Sequence, residues 1–396
     1  MLEESEARRR ILELTSPGVV IWVPLELALD QVIAQDITGI IDSPLFDNSA
    51  MDGYALKAHE ATVGSRLRVG PVTQAAGGDL GLRCDSGEAI RIFTGAVIPQ
   101  GADAVIMQED VERRGDFIEI VESVAPGEYI RWRGSDVCAG QKLLKRGEIM
   151  TPTRIGLLAS QGIAEIPVYG KPLVQIVTTG DELVEPGAPL IPGEIYDSNA
   201  PMLQTAVARA GGIGAASHAY DDLTELKEVL GRALAAADMV VIAGGVSVGE
   251  RDFVKEALTE LGVVTEFWRV NVKPGKPFVF GRHPDGTLVF GLPGNPVSAY
   301  VTFSLFVMPV IRKMLGHEVD AGSPGLGGLS GVAAEPLSNP GDRPHYLRGV
   351  CEGGKIRLSG TQQSHAIFGL SRANCLIRLG PGEKVETGGR VSGFAL

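Results

Sequence analysis

Charged and apolar residues alternate over residues 3–15, with Ile11 and Leu14 on the apolar side, and this spacing predicts one helix. Residues 24–37 carry only a weak strand-and-turn periodicity. From about residue 44 to 134 the texture changes to short apolar runs at 89–93, 104–107 and 117–121, separated by Gly, Pro and Asp. That is the spacing of a small all-β unit. Thr151 followed by Pro152 opens a further helix, which Gly162 closes, because Thr can cap free N–H groups and proline is preset for the first helical position.

Beyond Lys171 apolar runs alternate with helical periods. The runs at 173–177, 239–243, 277–280 and 288–291 read as strands, and 200–210, 253–261 and 297–314 as helices. The DLTE box at 222–225 opens another helix to about residue 237. Such alternation predicts a mostly parallel sheet with helices on both faces. Gly, Pro and Ser dominate 320–331, which reads as a linker. The remainder returns to short alternating runs, a second small β domain with a barrel among its options.

The chain has 396 residues, which at roughly 150 per domain gives two to four domains. Its 52 Gly and 24 Pro make it rich in turns for a globular composition. Lys plus Arg number 36 against 48 Asp plus Glu, a net charge of −12. That balance opposes non-specific binding to nucleic acid or to an anionic membrane, so any anionic ligand must meet a local basic pocket. The four cysteines, Cys84, Cys138, Cys351 and Cys375, are scattered and form no CxxC, which signals neither zinc nor a disulfide framework. The opening MLEESEARRR lacks a secretory apolar core, and the apolar stretch 300–311 is short of a membrane span. A soluble, cytoplasmic protein is expected.

Candidate chemistry gathers at the ends of the expected strands. TTGDE (178–182) follows the first and carries Gly180, Asp181 and Glu182; GGVSVG (244–249), with Gly244, Gly245, Ser247 and Gly249, follows the second and leads to Asp252. KPGKP (273–277) brings Lys273 and Lys276 before a third strand, and GLPGNP (291–296) brings Pro293, Gly294 and Asn295 to the start of the long helix, just ahead of Ser298. Unpaired N–H groups at strand ends and helix starts, with two lysines beside them, make an anion pocket. The glycines also read as plain tight turns, and Asn295 as a helix cap. GGVSVG is neither a P-loop nor a dinucleotide fingerprint. Asp181, Glu182 and Asp252 suit a hard cation such as Mg²⁺ bridging to phosphate, whereas Asp252 alone also reads as a cap. Earlier in the chain, DNSAMDGY (47–54) with Asp52, Thr94 after a β run, and RWRGSD (131–136) ending in Asp136 are polar phrases unsuited to a core strand. An exposed turn is their plain reading.

Eight phrases in order resemble the molybdopterin molybdenumtransferase (MoeA) family, which includes the E domain of gephyrin. They are PLFDNSAMDGYAL (44–56), IFTGAVIPQGADAVIMQED (92–110), RWRGSDVCAG (131–140), TTGDELVEPG (178–187), IYDSN (195–199), GGVSVGERD (244–252), VKPGKP (272–277) and GLPGNPVSA (291–299). The resemblance implies an α/β multidomain fold with an elongated N-terminal domain (1–43 plus 139–170), an inserted small β domain (44–138), an αβα molybdopterin-binding domain with a parallel-rich sheet (171–319) and a C-terminal β barrel (332–396). It implies a homodimer with shared active sites, and a reaction in which adenylylated molybdopterin and molybdate, or tungstate, give molybdenum cofactor with Mg²⁺-dependent release of AMP. By matching phrase, Asp252 would position Mg²⁺ and the adenylate phosphate, with Asp181 and Glu182 nearby. Lys273, Lys276, Ser247 and Ser298 would hold anionic oxygens, and Arg343 and Ser364 would meet molybdate. Asp52, Thr94 and Asp136 would come from the partner subunit. A molybdopterin adenylyltransferase and recipient molybdoenzymes are the implied protein partners. The competing classes are a molybdopterin adenylyltransferase, which the β insert and C-terminal β domain oppose, and a non-catalytic scaffold of gephyrin type.

Overall fold

A computed structural model describes residues 1–246, 253–320 and 327–396. The described chain divides into two units: Met1–Ile21 with Pro167–Leu396, and the continuous segment Trp22–Ile166.

The first unit is built on a six-stranded sheet. Its strands are β1 (Leu173–Thr179), β2 (Ile213–Ala219), β3 (Met239–Ala243), β4 (Val264–Trp268), β5 (Val279–Arg282) and β6 (Leu288–Leu292), in the order β2-β1-β3-β6-β5-β4. The four strands from β2 to β6 run parallel, and β5 and β4 are added antiparallel. Helices α1 (Glu4–Glu13), α2 (Asn199–Ala210), α3 (Leu223–Ala236), α4 (Phe253–Glu260) and the long helix α5 (Pro296–Met314) accompany it. β3 shows why the sequence reads as one unbroken apolar run: Met239, Val241 and Ala243 belong to the core shared with α1, α2 and α5, whereas Val240 and Ile242 belong to the core under α3 and α4. Both faces are covered, so neither can be polar.

The expected Asp222 cap is present, its carboxylate accepting from the Glu225 N–H at 2.9 Å. Asn295 departs from expectation, because its side chain makes no capping bond to α5. Helix α5 is also not uniform: residues Phe303–Val307 form a π turn immediately before Met308 and Pro309. Pro309 has no N–H to give and its ring crowds the preceding turn, which widens to accommodate it. By length and composition α5 could cross a membrane, but 78% of its apolar window is buried inside the structure, as a core helix requires.

The C-terminal region is a closed barrel of β7 (Gly328–Ala333), β8 (His345–Glu352), β9 (Lys355–Leu358), β10 (Cys375–Leu379) and β11 (Arg390–Ala395), in the order β7-β9-β8-β10-β11. β7 begins within the stretch read as a linker, whose Gly-rich composition hides a strand paired on both sides. Tyr346, Leu376 and Phe394 extend the α5 core into the barrel.

The second unit holds another six-stranded sheet, of Ala104–Met107, Gly53–Leu56, Glu88–Ile92, Arg66–Val69, Phe117–Ile120 and Val111–Arg114 in that spatial order. Its helix Pro152–Ser160 is capped by Thr151, whose hydroxyl accepts from the Arg154 N–H at 3.3 Å.

Candidate active site

In the first sheet the chain steps from β1 to the outer β2 and back to β3. The β1 and β3 carboxyl ends therefore flank the point where strand order reverses, the place where such sheets leave a crevice. Gly180 closes β1 at φ 146°, and a Cβ there would lie 2.6 Å from the Glu182 carboxylate, so this carboxylate folds back over the glycine. Gly244 and Gly245 follow β3 at φ 108° and 63°, and a Cβ on Gly244 would strike the Thr179 carbonyl at 2.7 Å. The Gly244 N–H donates to Leu292 O at 3.1 Å, and Gly294 approaches the same turn. Three strand-end turns thus meet, and at Gly180 and Gly244 the approach and the positive φ call for glycine.

The IYDSN phrase ties this edge together. Asp197 accepts from the Thr178 hydroxyl at 2.7 Å and from the N–H groups of Asn199 and Ala200, both at 3.0 Å, at the start of α2. Asn199 donates its amide to Gly294 O at 2.7 Å. Two atoms at these strand ends, Thr179 Oγ1 and Asn199 Oδ1, are buried without a hydrogen-bond partner among the described residues. Unpaired buried polar groups are costly, so they mark a place made for something else to bind. Asp181 accepts from the Asp221 N–H at 2.9 Å, which fixes the loop after β2.

The lysine loop lies between this edge and the barrel. The Lys273 N–H donates to Pro344 O and the Tyr346 N–H donates to Lys273 O, both at 2.8 Å, so the loop is zipped to β8. Gly275 packs on Thr302, where a Cβ would sit 2.3 Å from its methyl, and the Val297 N–H donates to Ser364 O at 3.2 Å. The first turns of α5, with buried Ser298, therefore stand beside both KPGKP and the barrel loop carrying Ser364. Both lysines are exposed, and among the described residues neither ammonium has a hydrogen bond. Arg343 donates to Val272 O at 3.4 Å.

Two barrel groups here escaped the sequence reading. Arg348 is 1% exposed, donates to Thr361 O, leaves its Nε unpaired and has no carboxylate partner among the described residues. Burial pushes its pKa down. His345 is pushed down to about 4, by burial first and then by Lys273, Arg348 and Arg343, so it is neutral at pH 7.

In the second unit, Asp52 accepts from the Thr94 N–H at 2.8 Å and hydroxyl at 2.7 Å. These bonds, with Arg91 nearby, hold its carboxyl below the usual range. Asn48 pairs with Arg131 across a short strand pair, and Asp47 accepts from the Arg133 N–H at 2.7 Å. The DNSAMDGY, TGA and RWRGSD phrases are thereby brought together, with Asp136 exposed at their edge.

Ser247, Gly249 and Asp252 lie outside the described residues. Among those described, no group of three or more His, Cys, Asp or Glu side chains is arranged to hold a metal ion. The structure does gather Gly180, Asp181, Glu182, Gly244, Gly245, Pro293, Gly294 and Asn295 at one sheet edge, with Lys273, Lys276, Ser298, Arg343 and Ser364 around the start of α5. Asp197 and Asn199 were legible as part of a quoted phrase but not as its structural hub. Arg348 offered only a lone arginine in a β run.

Residues 2–162 match the family model of the MoeA N-terminal region (domain I and II), residues 175–313 that of a probable molybdopterin binding domain, and residues 330–393 that of the MoeA C-terminal region (domain IV). The molybdopterin molybdenumtransferase of Haemophilus influenzae is 39% identical over 390 residues, 96% of this chain and 94% of its own. Molybdopterin molybdenumtransferase 2 of Mycobacterium tuberculosis is 36% identical over 401 residues, 98% and 97% of the two chains. A molybdopterin biosynthesis MoeA protein of Pyrococcus horikoshii has a crystal structure similar to this one at a TM-score of 0.87 and 32% identity, over 100% of this chain and 99% of that one. Matched along nearly its whole length in sequence and in fold, the chain belongs to the molybdopterin molybdenumtransferase family.

Proposed function

We propose that the protein is a transferase of molybdenum cofactor biosynthesis that takes adenylylated molybdopterin and molybdate, hydrolyses the adenylate and leaves the metal on the dithiolene. Both substrates are anions, and the observation that carries the reading is a local cationic site in a chain of net charge −12. Lys273, Lys276, Arg343 and the buried Arg348, which has no carboxylate partner among the described residues, cluster beside Ser364 and Ser298. These groups hold molybdate, or tungstate, which is a tetrahedral dianion of nearly the same size. Phosphoryl cleavage needs positioning and charge stabilisation more than covalent help, and preorganised donors supply both.

The adenylate phosphate lies at the strand-end turns of Gly180, Gly244, Gly245, Ser247, Gly249 and Pro293-Gly294-Asn295. Asp181, Glu182 and Asp252 suit Mg²⁺, since carboxylate oxygens are the hard donors this ion takes; bound there, it would neutralise developing phosphate charge. The elongated, β-insert, αβα and barrel boundaries expected from sequence belong to the same reading. So does a cytoplasmic homodimer whose Asp52, Thr94 and Asp136 complete the partner's site, supplied by an adenylyltransferase and drained by molybdoenzymes.

The test is to mix purified protein with adenylylated molybdopterin, molybdate and Mg²⁺ and follow AMP. Stoichiometric AMP release with cofactor formation is expected. No AMP, or adenylylation of molybdopterin by ATP instead, overturns the reading. The dimer has its own test. Asp52→Ala and Asp252→Ala proteins, each inactive alone, should recover roughly a quarter of wild-type activity after subunit exchange, because half the dimers are hybrids with one intact site. Recovery near zero after verified exchange means the acids act within one chain.

A further inference from the structure

Beside the strand-end turns, a cavity of about 740 Å³ lies between β1, β2, the start of α2 and the loop after Glu182. Of its wall, the proposed chemistry uses only Asp181. Asp181, Glu185, Glu194, Asp197, His218 and Tyr220 stand in its wall, and no lysine or arginine lines it among the described residues. A phosphate or molybdate would be repelled there.

What the wall offers is hydrogen-bond acceptors. Asp181 and Glu194 each accept with one oxygen, from the Asp221 and Ile191 N–H groups at 2.9 Å, and the other oxygen accepts no hydrogen bond among the described residues. His218 sharpens the point. The Thr178 hydroxyl gives its proton to Asp197, so toward His218 Nδ1, 3.4 Å away, it can only accept. Nδ1 then carries a proton. The ring's Nε2 is buried without a hydrogen-bond partner among the described residues. Tyr220 meets the imidazole edge to face at 5.0 Å and adds a flat, half-exposed aromatic surface.

We infer that this cavity binds the pterin ring system of the substrate. The inference rests on the proposed function and assigns a place to the one substrate part that function leaves unplaced. A reduced pterin carries adjacent donors on its 2-amino group and N3 and further ring N–H groups, so its edge pairs with a carboxylate in the two-pronged manner of a guanidinium. Adenine lacks two adjacent donors in that arrangement. The volume is in the range of small-molecule sites. Asp181 and Asp197 belong both to the cavity wall and to the strand-end turns, so a ring in the cavity directs its phosphate-bearing arm toward the glycines.

The probe is tetrahydroneopterin, titrated anaerobically by calorimetry into wild type, His218→Leu, Tyr220→Ala and the double variant Glu185→Gln/Glu194→Gln, with AMP titrated in parallel. Wild type should bind the pterin, and each variant should bind it at least fivefold more weakly with AMP affinity unchanged. Tyr220 is exposed, so its variant keeps the test valid should His218→Leu fold poorly. No pterin binding by wild type, wild-type affinity in the folded variants, or a parallel fall in AMP affinity, which would place adenine in the cavity, each overturns the inference. AMP release by wild type, measured separately, reports on the transferase reading: turnover with unaltered pterin affinity in the variants removes the cavity assignment alone.

Discussion

The two sides of the strand-end crevice are opposite in charge and in construction. On the β1–β2 side the wall is acidic, with no lysine or arginine among the described residues, and is carried by an edge strand and a loop rich in Gly and Pro. Toward the barrel, Lys273 and Lys276 lie on a loop zipped to β8 and packed on α5, Arg343 just precedes β8 and Arg348 lies within it, and Asp342 stands 3.6 Å from Arg343. Net charge therefore says little about what a ligand meets. A substrate with a donor-rich ring at one end and oxyanions at the other finds each end matched, and the reverse orientation is penalised twice.

The sharpest way to break this contrast is Arg348→Met. A buried guanidinium without a carboxylate contributes little to stability, and a similar apolar volume often replaces such a charge without loss. We expect molybdate-dependent cofactor formation to fall about 10²–10³-fold with the melting temperature nearly unchanged. Turnover close to wild type would remove the oxyanion from the barrel side. Lys276→Ala comes next and should weaken molybdate binding by roughly 1.5–3 kcal/mol by calorimetry, with a smaller loss at high salt because the lysine is exposed. On the acidic side, Asp197→Ala removes an acceptor of one hydroxyl and two N–H groups at the start of α2. Chemical denaturation should show a loss of about 2 kcal/mol. An unchanged midpoint would mean that the edge holds together without it.

The smallest effect is in pH. His345 has its pKa lowered from 6.5 to about 4, so between those values the unfolded chain binds a proton that the folded one does not. Stability then falls as pH drops through that window. His345→Gln should melt with a shallower decline from pH 7 to pH 5 than wild type, and parallel curves would mean that His345 is not the group responsible.

Sequence carried the centre of the fold better than its edges. Met239–Ala243 is buried on both sides and is apolar at every position, whereas Ile213–Ala219, IGAASHA, is an edge strand of small and polar residues that no apolar run marks. Val264–Trp268 was missed for the same reason, being exposed or half-buried throughout. At the site, glycine-rich phrases are visible because tight turns restrict residue choice. Arg348 is not, since its meaning lies in burial, which only the barrel's closure creates. Asp197 likewise depends on three elements that are distant in sequence arriving at one carboxylate.

Helix α1 has a consequence for how the protein is made. Glu4 is buried and pairs with Arg378, 374 positions later, and Lys313 donates to Leu12 O at 2.6 Å. At roughly 5–20 residues per second, this helix leaves the ribosome on the order of tens of seconds before its barrel partner exists. Ala7, Ile11 and Leu12, fully or almost fully buried at the end, must wait uncovered through that interval. This helix is thus synthesised long before it can dock, and until residues 313 and 378 are made the nascent chain carries an apolar stripe open to a holding chaperone.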